Sequence, residues 1–265
     1  MANILKDHDV TLLEKYRLSS EITDSFDVAD LLEESYLKKF MSQLADAIGA
    51  PTEKTAASIF IKRYAFIAVI SLFSMSVKNI KMNVVIGNIE MEKPEQGKDW
   101  LPMLKLKSPS IEEWTGEDRE KWRNTVYQEL FAKNLFPLID QFEKTFNLSR
   151  LILWENIAVY LFWLYETELK DHHHSNIKED FLFLVSEAEG RLFGPYNNNP
   201  LKKYYSGKQY VEEFQEEVRI RKTCCFTYQL ESRPSRCKTC PCTHIAKEGV
   251  CFDGESICTT VRSLA

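Results

Sequence analysis

The sequence predicts an α+β protein that is predominantly α-helical, with a small β-hairpin or sheet near residues 79–107 and an irregular, cysteine-rich C-terminal segment. Three observations predict this class. Apolar residues recur at helical spacing over most of the chain. One stretch, rich in β-branched residues that alternate with polar ones, interrupts this spacing. All seven cysteines follow residue 223. A chain of 265 residues that is 44% hydrophobic can bury a large core without disulfides.

Two helices are predicted in the N-terminal part of the chain. Asp27 is expected to cap a helix over residues 28–48, which Gly49 ends. The next helix, over residues 53–76, is apolar on nearly all sides after Arg63, so we expect it at the centre of the core. Its apolar stretch is shorter than the roughly 20 residues that cross a bilayer, and we therefore expect no transmembrane segment.

A β-hairpin is predicted next. Apolar and polar residues alternate over residues 79–92, which predicts a β-strand, and residues 100–107 are its predicted partner strand. We expect a boundary after this hairpin, which gives a helical and β-hairpin subdomain over residues 1–108 and a helical subdomain with the cysteine motif over residues 109–265. The helices predicted for the second subdomain cover residues 117–146, 150–169 and 176–190.

Charge is distributed unevenly along the chain. The net charge of −5 argues against general nucleic-acid binding, so no nucleic-acid partner is expected. Residues 218–240, however, contain six basic residues and one acidic residue. This local excess of positive charge can attract an anion or lower the pKa of nearby thiols. The N-terminus has no apolar signal-peptide region, and we expect a cytoplasmic protein whose thiols stay reduced.

Four cysteines form one tight pattern. Cys224 and Cys225 are adjacent, and eleven residues separate them from Cys237-Lys238-Thr239-Cys240. Four thiolates can hold a tetrahedral zinc ion or a [2Fe–2S] cluster. Only the second pair has the spacing of a zinc knuckle, and the diverging side chains of adjacent cysteines suit a larger, two-iron group better. The spacing alone decides neither.

The residues around this pattern resemble the C-terminal signature of the FhuF-type ferric siderophore reductases. The basic stretch 219–222, the Cys-Cys pair and the Cys-x-x-Cys-Pro ending at Pro241 occur in the family's order. Leu153-Trp154-Glu155-Asn156 and Asn199-Pro200 resemble two further family segments, so that the resemblance covers roughly residues 151–241. It implies a [2Fe–2S] cluster held by Cys224, Cys225, Cys237 and Cys240. Three further cysteines depart from the pattern: Cys242, which can compete as a ligand, Cys251 and Cys258.

The resemblance also implies a function. The protein would be an oxidoreductase that transfers one electron to Fe(III) in a siderophore of hydroxamate or citrate type and releases Fe(II) in the cytoplasm for iron acquisition. No catalytic residue beyond the cluster is required. Arginine gives bidentate hydrogen bonds to such oxygen ligands, which makes Arg219 and Arg221 the first substrate-binding candidates. Lys222, Lys202 and Lys203 are the others.

The electron must come from another protein. The chain contains neither G-x-x-x-x-G-K-[ST] nor G-x-G-x-x-G, so it has no nucleotide-binding signature. We expect a ferredoxin-like or flavodoxin-like donor. Two other functions stay open: a zinc-stabilised, non-enzymatic interaction module, and a cluster-bearing regulator that senses iron or oxidants. The sequence contains no DNA-binding motif that would support the regulator.

Overall fold

Helices form most of the fold in the computed structural model, which describes residues 3–96, 99–172 and 175–244. Wider helical turns continue three of them, at Gln128–Leu135, Leu164–Glu168 and Phe183–Glu187. The α-helices of the described residues are α1 (Asp7–Leu13), α2 (Glu34–Ile48), α3 (Glu53–Tyr64), α4 (Phe66–Lys78), α5 (Arg119–Tyr127), α6 (Phe136–Phe146), α7 (Arg150–Trp163), α8 (Ser175–Leu182) and α9 (Pro241–His244).

Among the described residues, short strands pair into three small antiparallel sheets, with strand orders β1-β6-β3, β2-β4-β5 and β7-β8. The predicted α+β class is therefore confirmed. The sequence analysis missed the β7–β8 hairpin and the strands outside residues 79–107. The strands are β1 (Asn3–Ile4), β2 (Ser25–Asp27), β3 (Ile80–Met82), β4 (Ile89–Glu92), β5 (Leu104–Leu106), β6 (Ser110–Glu113), β7 (Gln209–Val211) and β8 (Glu216–Val218).

The strand predicted over residues 79–92 is wrong in its extent. It divides into β3 and β4, which lie in different sheets, and only β4 pairs with β5 as the hairpin predicts. Asn88 causes the division. Its amide Nδ2 donates hydrogen bonds to the carbonyls of Asn83 and Ser108 at 2.7 and 2.9 Å, which fixes a short 3₁₀ turn between the two strands.

The helix predicted over residues 28–48 begins later than expected, at Glu34. The carboxylate of Glu33 accepts hydrogen bonds from the backbone N–H groups of Ser35 and Tyr36 at 3.0 and 2.7 Å and so caps α2. Residues 28–32 form a 3₁₀ turn instead. The helix ends as predicted at Gly49, whose φ of +63° is the left-handed conformation that glycine adopts at low cost.

Two consecutive helices, α3 and α4, form the centre of the core. They cover the predicted apolar helix and are interrupted only near Ala65. The stretch is long and apolar enough to cross a membrane, and no other helix of the described residues is, but 89% of its most apolar window is buried inside the protein. α3 packs against α2, α6 and α7, and α4 packs against α7 and α8.

One hydrophobic core cluster contains residues from Leu5 to Tyr204. It takes side chains from both sides of residue 108, and β6, which follows that residue, pairs with β1 and β3. The division into residues 1–108 and 109–265 stays a prediction.

Asp180 of α8 joins three helices inside the core. It is fully buried, and its carboxylate accepts hydrogen bonds from Arg119 at 2.7 Å, Arg123 at 3.2 Å and Ser76 at 2.9 Å. Both arginines belong to α5, and Ser76 belongs to α4. A buried carboxylate is stable here because opposite charge and hydrogen-bond donors surround it.

We expect Asp180→Asn to lower the free energy of unfolding by about 3 kcal/mol, because the change removes the buried negative charge that Arg119 and Arg123 share. Glu179→Gln is the matched control. Glu179 pairs with the same Arg123 at 3.1 Å, but its side chain is 65% exposed, so its loss should cost less than about 1 kcal/mol. Urea unfolding measures both variants, and equal losses would contradict the role of Asp180.

Candidate metal centre

The four cysteines of the predicted ligand set lie together at the edge of the core. Cys224, Cys225 and Cys240 are buried, whereas Cys237 is partly exposed. All four are thiols rather than disulfide partners. Cys237 is therefore the member of the set with the most access to solvent.

Glu155 of α7 holds the residues that precede the Cys-Cys pair. Its carboxylate accepts hydrogen bonds from the backbone N–H groups of Lys222 and Thr223, each at 2.7 Å, and from the Thr223 hydroxyl. Arg221 Nε lies 3.7 Å from the same carboxylate, and the side chains of Glu155 and Arg221 are each 3% exposed. The two carboxylate oxygens thus have donors, which a buried charge requires. These bonds fix the backbone immediately before Cys224.

Asn156, the next residue of α7, connects the same segment to α3. It is fully buried, its Nδ2 donates to the carbonyl and hydroxyl oxygens of Ser58 at 3.0 Å, and its Oδ1 accepts from Arg221 at 2.6 Å. The Ser58 hydroxyl in turn donates to the carbonyl of Cys225 at 3.1 Å. A continuous hydrogen-bond chain therefore begins and ends within the cysteine segment and passes through two core helices.

The chain turns sharply after Cys225. Phe226 has a φ of +62°, and its N–H donates to Cys224 Sγ at 3.4 Å. A bulky residue in the left-handed region is uncommon and costs on the order of 1 kcal/mol, so such residues persist where surrounding contacts hold them. Here Phe226 packs against the hydrophobic core.

The turn of Cys237 and Cys240 is attached by a backbone hydrogen bond to the segment that precedes Cys224. The Cys240 N–H donates to the Cys237 carbonyl at 2.9 Å and closes a tight turn, and the Arg221 N–H donates to the Thr239 carbonyl at 2.9 Å. This brings Cys240 Sγ to 4.0 Å from Cys224 Sγ. Cys237 lies near enough to Cys225 to raise the pKa of its thiol.

The thiols thus form two pairs, Cys224 with Cys240 and Cys225 with Cys237. Two thiolates bound to one tetrahedral metal at about 2.3 Å each lie about 3.8 Å apart, and the separation of the first pair is close to this value. Within the described part of the chain, no group of three or more His, Cys, Asp or Glu side chains meets in the way that a single ion needs. Two pairs of soft ligands fit a two-metal group such as [2Fe–2S] in number and type.

A cation lies beside each thiol pair. Arg236 Nη1 is 3.9 Å from Cys224 Sγ and 3.8 Å from Cys240 Sγ, and its guanidinium stacks on the Tyr228 ring at 3.9 Å. Lys62 of α3 reaches Cys225 Sγ at 3.6 Å. Positive charge at these distances favours the thiolate form, which is the form that binds metal.

The thiols differ in their affinity for protons. A hydrogen bond from Cys240 lowers the pKa of Cys224. The neighbouring Cys237 thiol, together with burial, raises the pKa of Cys225 to about 11, although the charges of Arg221 and Lys62 act in the opposite direction. Cys225 would therefore have to lose a proton in order to bind a metal at neutral pH.

The predicted substrate-binding residues differ in how far they are exposed. Arg221 is buried and its guanidinium is bound to α7, so little of it is open to a chelate. Arg219 makes a bidentate ion pair with Glu166 at 2.8 and 2.9 Å. Lys222, Lys202 and Lys203 are exposed. The substrate-binding role stays a prediction for all five, and exposure favours the three lysines.

The three additional cysteines follow this site. Cys242 lies on α9 and is partly exposed. Cys251 and Cys258 lie outside the described residues.

Comparison with protein families gives one match. The model of the ferric iron reductase FhuF-like transporter family matches residues 84–209, which is 126 of the 265 residues. Residues 84–209 are thus similar to the FhuF-like domain of this family. The match confirms the resemblance found in the sequence, and the name of the family implies ferric iron reductase chemistry. No curated protein matches the chain at a significant level.

The FhuF-like domain contains α7 and ends before the cysteines. Glu155 and Asn156, which hold the cysteine segment, lie inside it, whereas the first cysteine is at position 224. The four-cysteine ligand set therefore stays a prediction. The domain and the cysteine segment are nevertheless one unit in space, because the hydrogen bonds of α7 join them.

Sequence reasoning missed Glu155, Ser58, Lys62 and Arg236 as residues of the site. A Glu-Asn pair inside the otherwise apolar sequence of α7 was a signal, because buried polar groups need partners. Arg236 precedes Cys237 directly and was counted only as part of the basic segment. Ser58 and Lys62 gave no signal, since more than 160 positions separate them from Cys225.

Glu155→Gln should loosen the cysteine segment in the metal-free protein. The amide would face a backbone N–H with another donor, so at least one hydrogen bond of the buried group is lost, at a cost of about 1–3 kcal/mol. Alkylation of Cys224 and Cys225, resolved by peptide mass spectrometry, should become about tenfold faster or more.

Glu168→Gln is the control for this variant. Glu168 follows α7 in the same helical run but binds Lys15 and Tyr16, at 2.7 and 2.8 Å. Its loss should leave the alkylation rates of Cys224 and Cys225 unchanged. Similar rates in wild type and Glu155→Gln would show that the carboxylate does not order the segment.

Proposed function

We propose that the protein is a [2Fe–2S] ferric siderophore reductase that transfers one electron to Fe(III)-siderophores of hydroxamate or citrate type and releases Fe(II) in the cytoplasm. The observation that carries the proposal is the arrangement of four thiols in two pairs, each beside its own cation. The FhuF-like domain, which holds this arrangement through α7, supports the reductase chemistry.

The pairing suggests how the chain holds the cluster. Cys224 and Cys240 would bind one iron, and Cys225 and Cys237 the other. When bound, a [2Fe–2S] cluster accepts and donates single electrons. The partly exposed Cys237 would be on the side from which electrons enter and leave.

The surrounding residues protect and tune this centre. Arg236 and Lys62 provide positive charge beside the sulfur atoms. Phe226 and Tyr228 restrict water on one side, and both are partly buried. Hydrogen bonds, net charge and exposure are the features by which proteins set the reduction potential of such sites.

The electron balance is simple. One electron arrives from a separate ferredoxin-like or flavodoxin-like carrier, and one electron leaves to Fe(III), which becomes Fe(II). Hydroxamate and carboxylate oxygens bind Fe(II) much less tightly, so the iron dissociates and the ligand oxygens take up protons from water. The exposed lysines 202, 203 and 222 would attract the oxygen-rich chelate or an acidic carrier protein.

The test of the proposal is the absorption spectrum of anaerobically purified protein before and after dithionite, with iron, sulfide and zinc analysis of the same sample. We expect a red-brown protein with about two irons and two sulfides that bleaches on reduction and is re-oxidised by ferric siderophores. Cys237→Ser should lose both colour and activity, while Cys242→Ser keeps both. A colourless protein with one zinc, unable to take up a cluster on reconstitution, would instead indicate the zinc-stabilised interaction module.

Arg236→Gln should lower the reduction potential of the reconstituted centre by about 60 mV, equivalent to about 1.4 kcal/mol for one electron. The reason is that the lost positive charge lies within 4 Å of two thiols. Arg233→Gln is the control, because Arg233 lies in the same loop but pairs with Asp99 at 2.9 Å. A spectroelectrochemical titration gives both potentials. An unchanged value for Arg236→Gln would exclude this electrostatic role.

A further inference from the structure

A small slot opens beside the turn that contains Cys237 and Cys240. It has a volume of about 150 Å³ and lies between α7 with its wider final turns and the segment 219–221. Thr239, the residue before Cys240, forms part of its wall. The apolar part of the wall consists of Val159, Phe162, Trp163, Tyr204 and Ile220. A ligand in the slot would therefore lie one residue from a predicted metal ligand.

The size and the walls of the slot suit an apolar group. A cavity of about 150 Å³ lined by apolar side chains is large enough to bind benzene. Most of the exposed wall of this slot is apolar. The charged residues that also line it pair with one another, Glu155 with Arg221 and Glu166 with Arg219 and Lys208. The charged residue Arg219 does not fill it, because Glu166 and the rings of Phe162 and Tyr205, at 4.8 and 4.7 Å, hold the guanidinium.

Two lysines flank the slot without an ion-pair partner among the described residues. Lys203 precedes Tyr204 and Lys222 follows Arg221, and both Tyr204 and Arg221 line the slot. Burial lowers the pKa of Lys203, the charge of Glu155 raises it, and the charge of Lys222 lowers it further. The positive charge of the two exposed ammonium groups would attract an oxygen-rich ligand.

We propose that the slot binds an apolar arm of the ferric chelate, of about the size of an aromatic ring, while the metal-binding oxygens of the chelate face Lys203 and Lys222. This inference rests on the proposed reductase function and narrows its substrates to chelates that carry such an arm. The arm brings Fe(III) beside the Cys237–Cys240 turn. There one electron from the protein, supplied by the carrier, converts Fe(III) to Fe(II).

The experiment separates binding from electron transfer. Gallium(III) forms the same hydroxamate complexes as iron(III) but accepts no electron under these conditions. Isothermal titration of the cluster-loaded protein with gallium tris(benzohydroxamate) and gallium tris(acetohydroxamate) compares an aromatic arm with a methyl group at the same charge and the same oxygen ligands. We expect the benzohydroxamate complex to bind at least about tenfold more tightly, because the ring leaves water on binding.

Val159→Phe tests the position of the arm. Val159 is half-buried on α7 and faces the slot, so a phenyl side chain should fill the space and abolish the preference, with acetohydroxamate binding within about twofold of wild type. Val159→Ala leaves the slot open and should keep the preference. Equal binding of both complexes by wild type, or a preference that survives Val159→Phe in a folded protein, would overturn the inference.

Turnover of the two iron complexes distinguishes this inference from the proposed function. If gallium binding depends on the arm and reduced protein is re-oxidised by iron tris(benzohydroxamate), both stand. Arm-dependent gallium binding without re-oxidation would keep the slot as a chelate site and remove the reductase function. Re-oxidation by both iron complexes with no arm-dependent binding would keep the reductase and remove the slot.

Discussion

The buried carboxylate of Glu155 is the interaction on which the arrangement of the site depends. It lies on a core helix, yet it accepts hydrogen bonds from two consecutive backbone N–H groups and a hydroxyl of the segment that leads into the cysteines. An irregular segment cannot satisfy its own backbone groups when it is buried. The carboxylate supplies the missing acceptors, and Arg221 supplies the counter-charge. Without this carboxylate, the backbone N–H groups of Lys222 and Thr223 would lose their acceptor.

Asn156 extends this constraint from one helix to two. Through Ser58 it makes the position of Cys225 depend on α3 as well as α7. Both helices belong to the most buried part of the core, where side chains are closely packed and shifts are costly. The cysteine segment has little regular structure of its own and takes its shape from these rigid neighbours. Under the proposed function, such support would keep the geometry of the site through oxidation and reduction.

The charge pattern gives a local environment opposite to that of the whole molecule. The protein is acidic overall, but Arg236 and Lys62 lie within 4 Å of thiols, and three exposed lysines lie on the adjoining surface. The cations at the thiols stabilise sulfur anions, and those at the surface favour oxygen-rich ligands. Arg219 and Arg221, by contrast, use their charge within the fold, where Glu166 and Glu155 pair with them.

The sequence by itself determined the helical class, the central position of the apolar helix, the hairpin of β4 and β5 and the resemblance that the family match confirms. These follow from local periodicity and from a short motif, both of which are visible along the chain. Only the tertiary structure decided how residues 79–92 divide between two sheets, where α2 begins and which side chains surround the cysteines. Asn88, Glu33, Lys62 and Ser58 act through hydrogen bonds whose partners a residue pattern does not name. Contacts between residues distant in sequence depend on the packing of whole helices, and periodicity carries no information about which helices meet.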